Sequence, residues 1–340
     1  MARVLPQFHA PNHLPLLSRW PTEQPFMTFQ SASAVADVTD FSGIDEISGF
    51  TALSGHTSNI GMFAAIDDSV ADKMFLIDRE GDSQGEITLT GISWTDAEAM
   101  ASYTDTTDNK RYLVIGEIGD NNAVRSTKTL IRFEEPLVTG SDITIAAVDV
   151  EEIVVQFPTS PTFVQTPGAG TNRGDSEAFF VCPIDEKFYL LSKREIYNRI
   201  YSLPLQTSYT GTQTLTYEGE MNSAVAALTS TGPSSPTPMT NATDAAISND
   251  CKSVIVKTYD KVYQFYRSDT SISWSTIMQN QTPIEDPNYV GLGAGPSQEP
   301  QGEALTFDAN DTGYYSTSEY SGSPGSLPIY YYAGERVLKP

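Results

Sequence analysis

The stretch Asp175-Ser-Glu177-Ala-Phe-Phe-Val181 carries the pattern that decides the fold. An acidic residue heads a short apolar run, the run ends in a turn, and a second run rich in Tyr, Val, Ile or Phe follows. Copies of this stretch recur along the chain, with acidic heads at Glu46, Glu98, Asp244 and Glu303. A unit that recurs in this way indicates a repeat architecture.

Each repeat contains short β-rich runs separated by turn residues, and four such runs form one blade of a propeller. The acidic heads stand farther apart than the ~40–50 residues of a compact blade, which predicts long inserted loops. The fourth run of the fourth repeat is the least clear, and we assign it to Ile272–Met278. The sequence therefore predicts an all-β fold, a single β-propeller of five four-stranded blades. Six blades are the alternative if residues 1–43 or 136–170 contain another.

Residues 1–43 stand apart from the repeats because five prolines interrupt them and exclude a long helix. The fifth repeat ends after three strands, and a short run at Phe26–Phe29 is available to complete it. We therefore expect an N-terminal segment, residues 1–43, that closes the ring, and a propeller domain at residues 44–340. Closure removes the open edges that a sheet protein must otherwise protect.

The composition excludes several partners. The net charge of −23 argues against nucleic acid and anionic membranes, because both require a basic surface. No run approaches the ~18 apolar residues of a membrane span. Such acidity is typical of a highly soluble protein, and we expect a monomer.

Two cysteines and three Asn-X-Thr triplets bear on the compartment. Cys182 and Cys251 lack Cys-X-X-Cys spacing, which excludes a zinc ribbon and a redox motif of that type. Each lies near the end of an apolar run, and either a disulfide or two buried thiols would fit. The glycosylation triplets favour an extracellular or periplasmic location, although the first residues lack the apolar region of a signal peptide.

Antiparallel pairing of the first two strands of each repeat predicts which charges meet at one mouth of the ring. The expected neighbours are Glu98 with Glu117, Glu177 with Lys193 or Arg194, Asp244 with Lys257, Glu303 with Ser318 or Glu319, and Glu46 with Asp67 or Asp68. Acids therefore face acids on blades five, one and two, whereas each acid faces a cation on blades three and four.

The acidic side of this mouth predicts a metal site. Clustered carboxylates repel one another unless a cation lies among them, and Ca²⁺ is the hard, oxygen-ligated ion that fits. The candidate ligands are Glu46, Glu98, Glu117, Asp120 and Glu303. Asp120 and its neighbour belong to a dense polar stretch after a strong strand, and an Asx-type turn is the alternative interpretation there.

The basic side predicts the place of an anionic substrate. The candidate catalytic residues are Lys257, Tyr259, Arg194, Lys193 and Glu177, with Lys257 or Tyr259 moving protons. The candidate substrate-binding residues are Arg125, Asn121 and Asp244. Alternatively, these charges pair with one another and line a wet channel without further function.

Several phrases carry a diffuse family resemblance over about residues 44–335. They are Asp96-Ala-Glu98-Ala, Gly116-Glu-Ile-Gly-Asp120-Asn121 through Arg125, Glu135-Pro136, Leu191-Ser-Lys193-Arg194, Lys257-Thr-Tyr259 and Gly302-Glu303-Ala-Leu. With them the chain resembles secreted β-propeller proteins and, more distantly, phytase-like and calcium-dependent propeller hydrolases. The resemblance implies the propeller fold, and it transfers no catalytic residue.

The favoured hypothesis is a calcium-dependent extracellular enzyme that acts on an anionic substrate at the axial mouth. An acidic polysaccharide, cleaved by a lyase or a glycoside hydrolase, suits the paired carboxylates and the Lys/Tyr/Arg cluster. One alternative is a phosphate-ester hydrolase of the phytase or nucleotidase kind. The others are a non-catalytic propeller that binds glycans or proteins and carries a structural calcium ion, and an adhesion or surface-layer protein.

Overall fold

A computed structural model shows how the repeats are arranged. It describes residues 25–38, 44, 46–161, 174–195, 198–221, 229–230, 239–240, 242–289, 291, 299, 301–319 and 327–338. Nearly all of the regular structure is β-strand, and five sheets of four or more strands account for most of it.

The strands are numbered in chain order. The chain begins with β1 (Pro25–Phe29) and β2 (Ser33–Val38). Blade one contains β3 (Ile47–Ala52), β4 (Met62–Asp67), β5 (Lys73–Asp78) and β6 (Ser83–Leu89). Blade two contains β7 (Ala99–Thr104), β8 (Arg111–Glu117), β9 (Lys128–Glu134) and β11 (Val150–Gln156), and β10 (Ile143–Ile145) adds a parallel strand to blade one.

Blades three to five follow the same scheme. Blade three contains β12 (Asp175–Cys182), β13 (Lys187–Lys193), β14 (Arg199–Pro204) and β16 (Thr216–Glu220), and β15 (Gln213–Thr214) pairs with blade two. A two-stranded ribbon, β17 (Thr229–Ser230) and β18 (Met239–Thr240), precedes blade four. Blade four contains β19 (Asp244–Ile247), β20 (Ser253–Lys257), β21 (Val262–Tyr266) and β22 (Ile284–Glu285). Blade five contains β23 (Gln301–Phe307), β24 (Gly313–Glu319) and β25 (Leu327–Leu338). The helices of the described residues are α1 (Trp274–Asn280) and two 3₁₀ turns at Thr57–Asn59 and Ala147–Asp149.

The five first strands form a closed ring around the axis. Each contacts the first strand of the next blade, in the order β3, β7, β12, β19, β23 and back to β3. Five apolar clusters fill the spaces between the blades, one at each junction. The predicted all-β propeller of five four-stranded blades is therefore confirmed.

The ring is closed by the N-terminal segment, as expected. Strand β25 pairs with β1 at the Phe29–Gly334 position and with β2 at the Ser33–Tyr331 position, so both N-terminal strands complete blade five. Residues 1–24 lie outside the described part of the chain. The sixth-blade alternative fails for the described part of residues 136–170, because β10 and β11 join blades one and two.

One predicted strand is wrong. Residues Ile272–Met278 were expected to form the fourth strand of blade four, but α1 occupies most of this range and β22 is the fourth strand. The apolar side chains Trp274, Ile277 and Met278 follow helical spacing and are buried in the cluster between blades three and four. Ser273 caps the helix, since its hydroxyl accepts the Thr276 N–H at 3.3 Å.

Among the described residues, the structure contains no helix that is both long enough and apolar enough to cross a membrane.

Candidate axial site

One residue near the start of each inner strand faces the axis, and in three of the blades a bulge places it there. Pairing of β3, β12 and β23 with the second strand shifts by one residue at Ser48, Glu177 and Glu303. A bulged residue is left out of the regular pairing, and its side chain is re-aimed.

The other two blades have an equivalent residue. Glu98 donates its backbone N–H to Gly116, the residue opposite Ala99, at 2.9 Å. Thr243 donates to Lys257 in the same way, also at 2.9 Å. We call Ser48, Glu98, Glu177, Thr243 and Glu303 the axial ring.

This geometry corrects two of the predicted acidic heads. Glu46 lies two residues before the axial position of blade one, and Asp244 lies one residue after that of blade four. Ser48 and Thr243 stand there instead, and each hydroxyl donates to a backbone carbonyl of the next blade, Ala97 at 2.7 Å and Gly302 at 2.8 Å. A shift of one residue moves a strand side chain to the opposite face, which the acidic pattern alone does not reveal.

The three axial glutamates converge although they come from three blades. Oxygen atoms of Glu98, Glu177 and Glu303 lie within 4.8 Å of one another, and all three residues are buried. Burial raises the pKa of Glu98 well above its usual value, and the nearby Glu303 carboxylate adds to this, while Lys193 opposes it.

Two cations and a tyrosine border the axial ring on the side of blade three. Lys193 forms an ion pair with Glu177 and donates to the Tyr259 hydroxyl at 2.8 Å. Its ammonium group also lies 4.7 Å from the centre of the Tyr259 ring. Arg194 pairs with Asp175 and lies 3.4 Å from Glu177. The expected proximity of Glu177 to Lys193 and Arg194 is confirmed.

A second acidic group, here called the rim cluster, consists of Glu46, Asp67 and Asp68. Their carboxylate oxygens also lie within 4.8 Å of one another. Partial burial raises the pKa of Asp68 to about 7, together with its hydrogen bond to Glu46 and the charges of Glu46, Asp67 and Glu303. The expected proximity of Glu46 to Asp67 and Asp68 is confirmed.

The polar stretch after β8 is held by internal ion pairs. Arg125 lies 2.5 Å from Glu117 and donates to the Gly119 carbonyl at 2.7 Å. Asp120 pairs with the buried Lys128 at 2.8 Å. Asp120 also accepts the backbone N–H groups of Val124 and Arg125. The stretch therefore forms a turn, as the alternative interpretation expected, but the Asp120 side chain accepts N–H groups four and five residues on and not two as in an Asx turn. Asn121 lies exposed within this turn.

Burial and hydrogen bonding shift the pKa values of both Asp120 and Lys128. Burial works against the Asp120 charge, but the hydrogen bonds from Lys128 and the two backbone N–H groups lower its pKa overall. Burial lowers the pKa of Lys128 to about 8, against the effect of Asp120. The ligand and substrate roles of Glu117, Asp120, Asn121 and Arg125 stay predictions.

Lys257 and Asp244 face each other as expected, but both lie inside the junction of blades four and five. Lys257 is fully buried and lies 2.5 Å from Glu299. Its ammonium group also donates to Ser316 and to the carbonyls of Ala304 and Thr317. Asp244 accepts the Leu305 N–H at 2.7 Å. These contacts connect the blades, and the predicted catalytic and substrate roles of the two residues remain untested.

Two cavities lie away from the axial ring. One of about 270 Å³ is lined by Ser102, Arg111, Ile184 and Asn249 at the far ends of blades two to four. Another of about 210 Å³ lies between blades five and one, beside Arg79 and Tyr331. Residues 162–173 and 292–298, which precede β12 and β23, lie outside the described part of the chain.

The donor set of the axial ring fits a hard cation. It consists of carboxylate oxygens, and two such ligands on opposite sides of Ca²⁺ lie ~4.6–5.2 Å apart, which matches the spread of the three glutamates. Lys193 forms an ion pair with Glu177, whereas burial and the Glu303 charge oppose ionisation of Glu98, so a cation would stabilise the Glu98 carboxylate.

Comparisons with known proteins add little. No family model and no curated protein matches the chain. A chain of a nidogen/laminin complex aligns with 80% of this chain and 72% of its own length, at 7% identity and a TM-score of 0.38. A putative 6-phosphogluconolactonase from Bacteroides uniformis aligns with 76% of this chain and 62% of its own, at 16% identity and a TM-score of 0.33. The strand pairing itself identifies the class: this protein is a five-bladed β-propeller.

Proposed function

We propose that this protein is a calcium-dependent extracellular enzyme that cleaves an acidic polysaccharide at the axial ring. The observation that carries the proposal is the convergence of Glu98, Glu177 and Glu303 beside the Lys193–Tyr259 pair. Glu98 and Glu303 are the proposed principal ligands of the ion, with Glu46 and the rest of the rim cluster nearby. When bound, Ca²⁺ would neutralise the axial carboxylates and attract the anionic groups of the substrate.

The residues around the axis suit acid–base chemistry. With the ion bound, Glu98 would be ionised, because a cation beside the carboxylates offsets the burial and the Glu303 charge that raise its pKa. The Lys193 ammonium group donates to the Tyr259 oxygen and would stabilise negative charge on it, so Tyr259 suits the part of a general base. Arg194, whose side chain is 24% exposed, is placed to pair with a carboxylate of the substrate.

The test is a screen of polyuronic and sulfated polysaccharides, with phosphate esters as a second panel. Each substrate is assayed with Ca²⁺ and with a chelator, following unsaturated products for a lyase and new reducing ends for a hydrolase. We expect turnover of an acidic polysaccharide only with Ca²⁺. Glu98→Gln should lower it by about 10–100-fold or more, because the ion loses a charged ligand.

The matched control is Glu86→Gln, which removes a carboxylate of an outer strand that pairs with Lys73 at 2.9 Å. This variant should keep full turnover. Binding of polysaccharide without product, or unchanged turnover in Glu98→Gln, would refute the enzymatic proposal. Turnover of phosphate esters alone would replace the polysaccharide by the alternative substrate.

A further inference from the structure

The two cysteines meet at the junction of blades three and four. Cys182 ends β12, and Cys251 lies in the turn between β19 and β20. Both are free and buried, and each thiol affects the pKa of the other, so they are neighbours. The two side chains belong to the same apolar cluster, and the packing of blades three and four brings them together.

A buried arginine organises this pair. Arg267 donates to the Cys182 sulfur at 3.2 Å and to the Cys251 carbonyl at 2.8 Å. The same guanidinium lies 2.7 Å from Asp185 and stacks over Trp274 at 4.8 Å. Residues of both blades therefore hold the Arg267 guanidinium group, and one of its N–H groups is directed at the Cys182 sulfur.

These contacts favour a thiolate at Cys182. The hydrogen bond from Cys251 lowers the pKa of Cys182, and the Asp185 N–H and Arg267 act in the same direction. Burial and the Asp185 carboxylate oppose this but do not reverse it. The same hydrogen bond, followed by burial, raises the pKa of Cys251. One sulfur is thus prepared as a nucleophile and the other keeps its proton.

A cavity reaches Cys251 and the residues on either side of Cys182. The cavity of about 270 Å³ at the far end of the ring is lined by Cys251 and by Val181 and Pro183, which flank Cys182. Polar residues such as Asp105 and Asn109 line the rest of it. A small polar oxidant of about the size of water fits this space.

We propose that Cys182 and Cys251 form a reversible redox site, in which a peroxide converts the two thiols to a disulfide that joins blades three and four. The Cys182 thiolate attacks one peroxide oxygen, the O–O bond breaks and hydroxide leaves, which gives a sulfenic acid. The Cys251 sulfur then attacks the Cys182 sulfur. The sulfenic hydroxyl leaves with the Cys251 proton as water, and the S–S bond forms. Two thiols are oxidised and one peroxide is reduced.

The disulfide would be a covalent cross-link between blades three and four. It closes the chain from Cys182 to Cys251, and a cross-link across a loop of this length stabilises the folded state chiefly by restricting the unfolded chain. The oxidised protein should therefore unfold at a higher denaturant concentration than the reduced one.

The experiment uses the full-length protein, reduced and then treated with hydrogen peroxide. The intact mass should fall by two hydrogen atoms, and a non-reduced digest should contain the Cys182–Cys251 cross-linked peptide. Two thiols should be titratable in denaturant before treatment and none after it, and a dithiol reductant should restore both. The denaturation midpoint should rise on oxidation and return on reduction.

Four variants sharpen the test. Cys251→Ser should stop at sulfenic acid on Cys182, detectable with a sulfenic-acid probe, and Cys182→Ser should not form a cross-link. Arg267→Gln should slow oxidation about tenfold through the smaller thiolate fraction, whereas Arg199→Gln, a change at an arginine bound elsewhere in blade three, should not. Two titratable thiols after treatment, or only intermolecular disulfides in the wild type, would overturn the proposal. The wild-type result decides even if an Arg267 variant does not fold.

Discussion

At the scale of single residues, the axial glutamates differ in their neighbours. Glu177 has two cations beside it, whereas Glu98 meets the Glu303 carboxylate, and burial is the main cause of its raised pKa. The acidic heads at Glu98, Glu177 and Glu303 could be predicted from the sequence, because each opens an apolar run. Ser48 could not, because a bulge changes which residue faces the axis and leaves no mark in the polarity pattern. Thr243 could not, because it directly precedes Asp244, the acidic residue that the pattern selects.

The raised pKa of Glu98 makes stability depend on pH. Below its ordinary value of 4.5 the carboxyl group is protonated in both states and causes no difference. As the pH rises from 4.5 through the folded-state pKa, Glu98 ionises more readily in the unfolded chain than in the folded protein. The free energy of unfolding therefore falls over this range. In a chelator, Glu98→Gln should therefore be more stable than the wild type at neutral pH, by about 1 kcal/mol or more.

Urea unfolding of both proteins below pH 4.5 and at neutral pH measures this effect. The difference should be small at the acidic pH and should grow as the pH rises. A Glu98→Gln variant that is less stable than the wild type at neutral pH, in the chelator, would show that the carboxylate is better stabilised than its surroundings indicate.

At the scale of elements, alternation and turn residues were enough to find most strands. The predicted run Phe26–Phe29 lies within β1 (Pro25–Phe29), which pairs with β25 as the closure of the ring requires. The error at Ile272–Met278 arose because a short apolar run suits a strand and a helix alike. The helical spacing of Trp274, Ile277 and Met278, after a capping serine, was the signal that could have corrected it.

The junction of blades four and five depends on a buried ion pair. Lys257 and Glu299 are both fully buried, and burial lowers the pKa of Lys257 and raises that of Glu299. Lys257→Ala leaves a charge without its partner and should lower the free energy of unfolding by about 3–5 kcal/mol. Denaturant titration measures the change.

The chain contains a matched control for this variant. Lys261 also forms an ion pair, with Glu285 at 2.9 Å, but its side chain is 35% exposed and that of Glu285 is 49% exposed. Lys261→Ala should cost about 0–1 kcal/mol. Equal losses in the two variants would contradict a structural role for the Lys257–Glu299 pair.

At the scale of the whole molecule, the ring assembles a site from distant parts of the chain. Each inner strand contacts two others, and closure by β1 and β2 fixes the fifth blade against the fourth and the first. Repeat counting predicted this closure, because the last repeat lacked one strand. The convergence of three carboxylates within 4.8 Å could not be predicted to that detail, since it depends on bulges in separate blades.

We propose that the axial ring holds a calcium ion, and calorimetric titration of chelator-stripped protein with Ca²⁺ is the decisive measurement. We expect one ion per chain, strong loss of binding in Glu303→Gln, and normal binding in Glu86→Gln and Asp68→Asn. Absence of binding heat together with an unchanged thermal unfolding midpoint would contradict it. So would binding that survives Glu303→Gln and is lost in Asp68→Asn, because the ion would then belong to the rim cluster.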